Sequence, residues 1–233
     1  MCNTFKTILE ETCLLLETYK GRDKIIRMLC YLSRLLGELQ NDPELRKKFS
    51  IFGSQMSATR TTLRLLDDAL VLRSTLQYRF GKNEPDKYMA VMGVMSNVLD
   101  HIFLPLEKVS WLAKHRLLTG LDNTKWETAS SACWVLTAYL TILKTLRFLV
   151  LLERHKRCLD KAESSIPSEK LKVLRQYQFW TLGRACLDFL HAVNTLPPGF
   201  LWSSKLKPWF VSLIGTSSSI IGLYLIIYKK WLK

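Results

Sequence analysis

Apolar and polar residues recur along the chain with the period of an α-helix. No stretch shows the strict alternation, bounded by turn residues, that is typical of a half-buried strand. The pattern predicts helices over about residues 5–19, 22–36 and 51–78, and a later amphipathic helix over about 171–193. The sequence therefore predicts an all-α fold.

The segment from Trp209 to Tyr228, "WFVSLIGTSSSIIGLYLIIY", carries no charge. Its length is sufficient to cross a hydrocarbon core of ~30 Å at about 1.5 Å per residue. The aromatic residues Trp209, Tyr228 and Trp231 suit the two membrane interfaces, and Lys229, Lys230 and Lys233 would anchor one of them. We expect a transmembrane helix here, since a buried core helix of this length rarely lacks all charge.

Small residues recur at a spacing of four within that segment. The "GTSSS" run has the hydroxyl groups of a candidate nucleophile, but it lies inside the predicted span. Small residues at this spacing allow two helix backbones to approach closely. We therefore predict that they pack the span against other helices; they are Gly215, Ser218, Ser219 and Gly222.

The apolar runs divide the chain into four predicted regions. Residues 1–128 are an N-terminal amphipathic helical region, cytosolic or interfacial, and residues 129–152 are an apolar helix that is a possible first transmembrane span. Residues 153–207 are a basic connector and an amphipathic helix, and residues 208–233 are the C-terminal transmembrane helix with a basic tail. We predict an all-α integral membrane protein with amphipathic interfacial helices and one or two transmembrane helices.

Two further apolar segments are interrupted, one by charge and one by proline. The run at 129–152 contains Lys144 and Arg147, so it is either a short span with snorkelling basic ends or an interfacial helix. The uncharged run from Tyr88 to Leu99 is too short to span, and Pro105 is expected to interrupt its helix.

Basic and apolar residues are interleaved in two of the predicted helices. On a helical wheel the basic residues form one stripe and the leucines the other. Such helices either cover a soluble core or lie on a membrane, where basic side chains contact headgroups and apolar ones insert or pack. The predicted headgroup contacts are Lys20, Lys24, Arg27, Arg34, Arg60 and Arg64. The predicted inserting or packing residues are Ile25, Leu29, Leu32, Leu36, Leu65, Leu66, Leu72 and Leu76.

The net charge of +14 indicates an anionic partner. A mean hydropathy of +0.05 with 48% hydrophobic residues favours anionic membrane lipids over nucleic acid, for which no binding module is present. The six cysteines lack C-x-x-C spacing and are expected to be reduced. The four histidines form no metal-binding pair, and no nucleotide-binding or hydrolase motif is present, so we expect no metal, no cofactor and no enzymatic activity.

Four stretches resemble the peroxin-eleven family of peroxisomal membrane proteins. They are "YKGRDKIIRMLCYLSRLL", "LRLLDDAL", "LPLEKVSWLAK" and "LPPGFLWSSKLKPWFVSLIGTSSSIIGLYL", and the last two look most like the gamma subtype. The resemblance implies a multi-pass peroxisomal membrane protein that promotes membrane protrusion, elongation and peroxisome proliferation or fission. It also implies homo-oligomers and hetero-oligomers with other family members, contact with a tail-anchored fission adaptor and the dynamin-like fission machinery, and cytosolic termini.

Two alternatives remain open from the sequence. Lys144, Arg147 and the polar residues of the apolar runs are compatible with a channel or pore for small metabolites. The chain could also recruit fission machinery as an adaptor without remodelling the membrane itself. The basic loop at 153–172 favours a cytosolic position by the positive-inside rule, whereas the family topology would place it in the lumen.

Overall fold

The structure, a computed structural model, describes residues 2–161 and 168–229. Those residues form helices and connecting turns without any strand, which confirms the all-α prediction. The helices are α1 (Cys2–Glu17), α2 (Tyr19–Glu38), α3 (Pro43–Arg64), α4 (Asp68–Tyr78), α5 (Lys87–Lys114), α6 (Asn123–Lys161), α7 (Ser168–Asn194) and α8 (Pro208–Tyr228).

The helix predicted over 51–78 is two helices in the structure. Its first part begins earlier, at Pro43, because the Asp42 side chain caps the free N–H groups of α3. It ends at Arg64, and a turn precedes α4. Arg64 and Asp68, on either side of the turn, form ion pairs with Glu107 and Lys108 of α5. These tertiary contacts bend the chain onto α5 against its local helical preference.

Helix α5 continues through Pro105, so the expected interruption there is wrong. The helix stays continuous despite the hydrogen bond that a proline removes, and it packs along α6. Polar contacts frame the α5–α6 hairpin, with Arg147 against Asp86 at one end and Ser110 against Asn123 at the other. The two contacts are about 36 Å apart along the helices at 1.5 Å per residue, which exceeds the ~30 Å hydrocarbon core.

Among the described residues, three helices are long and apolar enough to cross a membrane: α5, the Asn123–Cys158 part of α6, and α8. The predicted apolar run at 129–152 and the start of the basic connector thus form one helix. Residues 162–167 of the connector, and the predicted anchors Lys230, Trp231 and Lys233, lie outside the described residues.

Helix α8 lies between α2 and α7 and is more deeply buried than the other two candidate spans. Helix α3 packs on the far side of α2, where Ser33 donates a hydrogen bond to the Phe49 carbonyl at 2.6 Å. Gly37 and Gly53 let these two helices approach closely, since a Cβ at Gly53 would lie 3.1 Å from the Cys30 carbonyl oxygen. The fold thereby brings an N-terminal amphipathic helix against the C-terminal candidate span.

Candidate functional site

The polar stripe of α2 faces the interior of the bundle. Arg27 has only 6% of its surface exposed. The face that α8 offers to α2 consists of small residues, which leave room for long polar side chains between the helices. This orientation is the reverse of a soluble surface helix, and it resembles a membrane bundle, in which ionisable residues face inward and pair.

Asp188 of α7 joins three helices. The Arg27 guanidinium donates to one of its carboxylate oxygens over 2.5 Å, and the Ser218 hydroxyl donates to the same oxygen over 2.5 Å. Arg184, one turn earlier on α7, reaches the other oxygen at 3.4 Å. Charge-assisted hydrogen bonds of this kind are stronger than neutral ones, so the carboxylate links α2, α7 and α8.

Tyr31 lies one turn from Arg27 and fills the space above Gly215. A Cβ added at Gly215 would come within 2.5 Å of the Tyr31 ring, so only glycine leaves room for it. The Tyr31 hydroxyl and His191 Nε2 are 2.6 Å apart. Trp134 of α6 meets the His191 ring edge-on, with ring centroids 5.5 Å apart. This contact extends the cluster to a fourth helix.

The environment of the cluster shifts its titratable groups. Burial alone would raise the pKa of Asp188, but Arg27, Arg184 and Ser218 outweigh it and lower this pKa to about 2. Burial, reinforced by the nearby Arg27 charge, lowers the pKa of His191 to about 4. At neutral pH the cluster thus holds an ionised carboxylate beside a neutral imidazole, whose Nδ1 has no hydrogen-bond partner among the described residues.

The apolar stripe of α2 faces away from α8. Leu29, Leu32 and Leu36 line a groove of about 460 Å³, and Phe49 and Phe52 of α3 form its other wall. Ile25, the fourth predicted apolar residue of this helix, is half-buried. The stripe therefore partly packs on α3 and partly remains open to the surroundings.

The predicted headgroup residues of α2 occupy different environments. Lys20 is exposed, whereas Arg27 is buried in its ion pair. Lys24 is half-buried, with its ammonium 3.5 Å from Asp23, and the stem of Arg34 lies against Gly53. In this conformation Lys20 is well placed to meet a headgroup, and Arg27 instead connects helices.

The two predicted basic residues of α3 are both paired. Arg60 donates to Asp23 of α2 over 2.9 Å, and Arg64 donates to Glu107 of α5. Both arginines therefore hold α3 against its neighbours. Their contact with lipid headgroups stays a prediction.

The predicted apolar residues of α4 are prominent on the surface. Leu66 is 82% exposed, Leu76 66% and Leu72 51%, while Leu65 is half-buried at the preceding turn. Exposed apolar residues of this size on one short helix and on the turn before it indicate an interaction surface.

The predicted packing residues of α8 are all buried. Gly215 meets Tyr31, Ser218 meets Asp188, and Ser219 is fully buried with its hydroxyl bonded to the Gly215 carbonyl. Gly222 lies beneath the side chains of Lys24 and Arg184.

The cations of the first apolar run bind the turn before α5. Arg147 donates to Asp86 at 2.6 Å and lies over the Tyr88 ring, while Lys144 lies 3.9 Å from Glu84 and over the Tyr78 ring. Their observed role is to join α6 to the start of α5.

Sequence reasoning did not identify Asp188 and His191 as members of a site. A carboxylate and an imidazole three residues apart in "CLDFLHAV", an otherwise apolar stretch, are the signal that could have found them. Their partners lie about 160 residues away, so the stretch alone could not name them.

Comparison with known proteins finds relatives from a single family. A sequence model of the peroxisomal biogenesis factor 11 (PEX11) family matches residues 9–227. Peroxisomal membrane protein 11C from Homo sapiens is 33% identical over 218 residues, and its Mus musculus counterpart is 32% identical over 216; these alignments cover 90% and 89% of each chain, respectively. Peroxisomal membrane protein PMP27 from Saccharomyces cerevisiae is 26% identical over 227 residues, or 89% of each chain.

The fold and the three apolar helices define a helical protein of membrane type. The chain belongs to the peroxisomal biogenesis factor 11 family, and the mammalian relatives confirm the likeness to the gamma subtype. This membership supports a role in peroxisome biogenesis. No solved structure matches the chain.

Proposed function

We propose that the protein shapes the peroxisomal membrane and promotes its protrusion, elongation and the proliferation or fission of the organelle. The observation that carries this proposal is the exposed apolar surface formed by Leu72 and Leu76 of α4 and by Leu66 of the preceding turn, on a chain whose described residues include three candidate spans. A short apolar helix held near a bilayer inserts into one leaflet and expands its area. Tethering by the spans raises the effective concentration of that helix at the membrane.

The basic residues support the same function. The net charge of +14 favours an anionic leaflet, where each basic side chain contributes about 1 kcal/mol. The exposed side chain of Lys20 is free to reach headgroups, whereas Arg60 and Arg64 would have to exchange their present carboxylate partners. Lipid contact is thus concentrated on the outer surfaces of α2 and α4.

The proposed topology places the protein in the peroxisomal membrane with both termini in the cytosol. An even number of spans leaves the termini on one side, so the membrane position of α5 and α6 decides the arrangement. Protease protection of tags at the two termini and within residues 162–167, in intact organelles, measures it. Cleavage of both terminal tags without permeabilisation supports this topology, and protection of either one contradicts it.

Homo-oligomers, hetero-oligomers with other family members, a tail-anchored fission adaptor and the dynamin-like machinery are the proposed partners. The apolar stripe of α2 and the surface of α4 offer area for such contacts. Tubulation of vesicles by the purified chain alone separates a protein that remodels the membrane directly from a pure adaptor.

The test of the proposed function is the double substitution Leu72→Glu with Leu76→Glu. Two carboxylates on the apolar surface of α4 oppose insertion into the acyl region, so vesicle tubulation and organelle elongation should be lost while targeting is retained. The matched control is Ser74→Glu with Gln77→Glu, which adds the same charge at exposed polar positions of α4. Equal elongation by both double variants would remove α4 from the mechanism.

A second substitution tests the α3–α4 turn. Leu66→Glu alone should weaken elongation, because Leu66 is the most exposed of these leucines. Leu65→Glu combined with Leu66→Glu should also lower stability, since Leu65 is half-buried.

A metabolite pore gains no support from Lys144 and Arg147, because both pair with acidic residues of the α4–α5 turn.

A further inference from the structure

Lys24 of α2 and Arg184 of α7 converge on one spot of α8. A Cβ added at Gly222 would lie 3.5 Å from Cδ of Lys24, 3.7 Å from Cδ of Arg184 and 3.9 Å from its Nη1. Two cations from different helices thus share the surface of a residue that has no side chain. We call this place, defined by Lys24, Arg184 and Gly222, the cationic cleft.

Positive charge exceeds negative charge around the cationic cleft. Asp23 pairs with Arg60 at 2.9 Å and lies 3.5 Å from Lys24. Asp188 pairs with Arg27 at 2.5 Å and with Arg184 at 3.4 Å. These ion pairs join four cations to two carboxylates, which leaves an excess of two positive charges.

The excess positive charge is unfavourable in the partly buried environment of the cleft. Burial lowers the pKa of Lys24 to about 8, and the like charges of Arg27 and Arg184 add to the effect. The side chains of Lys24 and Arg184 nevertheless keep 21% and 33% of their surface exposed, so the cleft is accessible from outside. An anion placed between them would offset the repulsion.

Aromatic residues lie within about one turn of the cleft residues along α7 and α8. Trp180 of α7 meets Tyr224 of α8 edge-on, with ring centroids 5.6 Å apart, and both rings are partly exposed. Gly222 is about 9 Å from the C-terminal end of α8, at 1.5 Å per residue. Tyrosine and tryptophan at the end of a span mark the headgroup level of a membrane.

We propose that the cationic cleft binds a phosphate group, carried by an anionic phospholipid of the surrounding membrane. The two cations contact the phosphate oxygens, Gly222 provides the space, and the acyl chains lie along Trp180 and Tyr224. Basic pockets between helices at a membrane surface bind lipid headgroups in this way. The proposal deepens the proposed membrane function and rests on the membrane location of α8.

The test measures energy transfer from tryptophan to pyrene-labelled phosphatidylglycerol, using the purified full chain in detergent. Lys24→Gln with Arg184→Gln should weaken binding by about tenfold or more, since two headgroup contacts are lost. The matched control is Arg22→Gln with Arg175→Gln, which removes two exposed charges from the same helices. This control should bind with nearly wild-type affinity, and equal affinities of the two double variants would overturn the proposal.

Competition with inorganic phosphate distinguishes the source of the phosphate group. Inorganic phosphate should displace labelled phosphatidylglycerol from the wild-type chain, but it should not displace labelled phosphatidylcholine, the control lipid. This result would support recognition of the phosphate charge by the cleft. Binding of inorganic phosphate without binding of the lipid would overturn the lipid as its carrier. Thermal unfolding of each variant checks that the bundle is intact.

A pH titration tests the role of Lys24 in the unmodified chain. The charged groups that face it are Asp23 and Arg27 on its own helix, Arg60 on α3 and Arg184 on α7, and α8 contributes Gly222. Affinity for phosphatidylglycerol should fall as the pH rises from 7 to about 10, because Lys24 loses its charge while the phosphodiester keeps its own. A flat profile would exclude Lys24 from the site.

Failure of this proposal is distinguishable from failure of the proposed function. The α4 variants, Leu72→Glu with Leu76→Glu, leave the cleft intact and should bind the labelled lipid normally. If the cleft variant loses lipid binding, the cleft proposal is supported. If the α4 variants also elongate the organelle normally, insertion of α4 is not part of the mechanism.

Discussion

The Arg27 guanidinium donates to the Asp188 carboxylate at 2.5 Å, across 161 residues of sequence. This pair holds the N-terminal amphipathic helix α2 against α7, and Ser218 extends it to α8. The basic stripe of α2 therefore stabilises the bundle from within. Because Asp188 and Ser218 hold the basic stripe inside, the opposite, apolar stripe of α2 faces outward.

Removing one partner of this pair should destabilise the fold strongly. Arg27→Met leaves Asp188 buried with fewer donors and should cost about 3 kcal/mol, because an uncompensated buried charge is expensive. Adding Asp188→Leu should restore part of this stability, since the unpaired charge is then gone. Unfolding midpoints in detergent for the single and double variants measure the effect.

The exposed pair Arg46–Glu38, with an N–O distance of 2.9 Å, provides the control. Arg46→Met should cost less than about 1 kcal/mol, because exposed ion pairs contribute little. Similar losses for Arg27→Met and Arg46→Met would contradict the buried role of Arg27.

Glycine is required at position 215 by the Tyr31 ring. Gly215→Ala places a methyl group where the ring lies, so it should destabilise the bundle by about 1–3 kcal/mol despite the better helix propensity of alanine. Gly183→Ala on α7 meets no atom within 4 Å and should be neutral or stabilising by up to about 1 kcal/mol. A stabilising Gly215→Ala would show that α2 does not lie on this face of α8. Thermal unfolding of both variants measures the difference.

Stability should fall when the pH drops from about 6.5 to about 4. His191 has an ordinary pKa of 6.5 in the unfolded chain and one lowered to about 4 in the fold. Between these values the unfolded state binds the additional proton, so acidification favours unfolding, by about 3 kcal/mol across the window. The measurement is the unfolding midpoint in detergent as a function of pH.

Substitutions assign this pH dependence. His191→Gln removes the titrating group and should flatten the profile between pH 6.5 and 4. His115→Gln, at an exposed position, should keep the wild-type decline. An unchanged decline in His191→Gln would mean that another group is responsible.

The sequence predicted the helices and the charge-free span because both depend on local pattern. The four small residues of α8 were predicted to face other helices, and all four are buried. The division of α2 into a basic and an apolar stripe was also visible. The sequence did not show which stripe faces inward, because the partners that decide it, Asp188 and Ser218, come from helices far along the chain.

The break between α3 and α4 was missed for a similar reason. Residues 51–78 have a continuous helical pattern, and the turn at Leu65 is held by ion pairs to α5. Pro105 led to the opposite error, since α5 stays continuous there and packs along α6, although the local sequence disfavours a helix. Both differences arise where tertiary contacts override local preference.

A disulfide between α2 and α8 tests whether the basic stripe of α2 faces α8. Tyr31→Cys with Gly215→Cys, in a chain whose six native cysteines are replaced, brings two Cβ atoms within disulfide reach. A protease site inserted at 162–167 then reports the bond in membrane vesicles, since the two fragments stay joined only until a reductant is added.

Leu32→Cys with Gly215→Cys is the control, because Leu32 lies on the outward stripe. We expect the 31–215 pair to cross-link in the membrane and the 32–215 pair not to do so. Cross-linking of the 32–215 pair without the 31–215 pair would show that α2 presents its apolar stripe to α8, and would contradict the account.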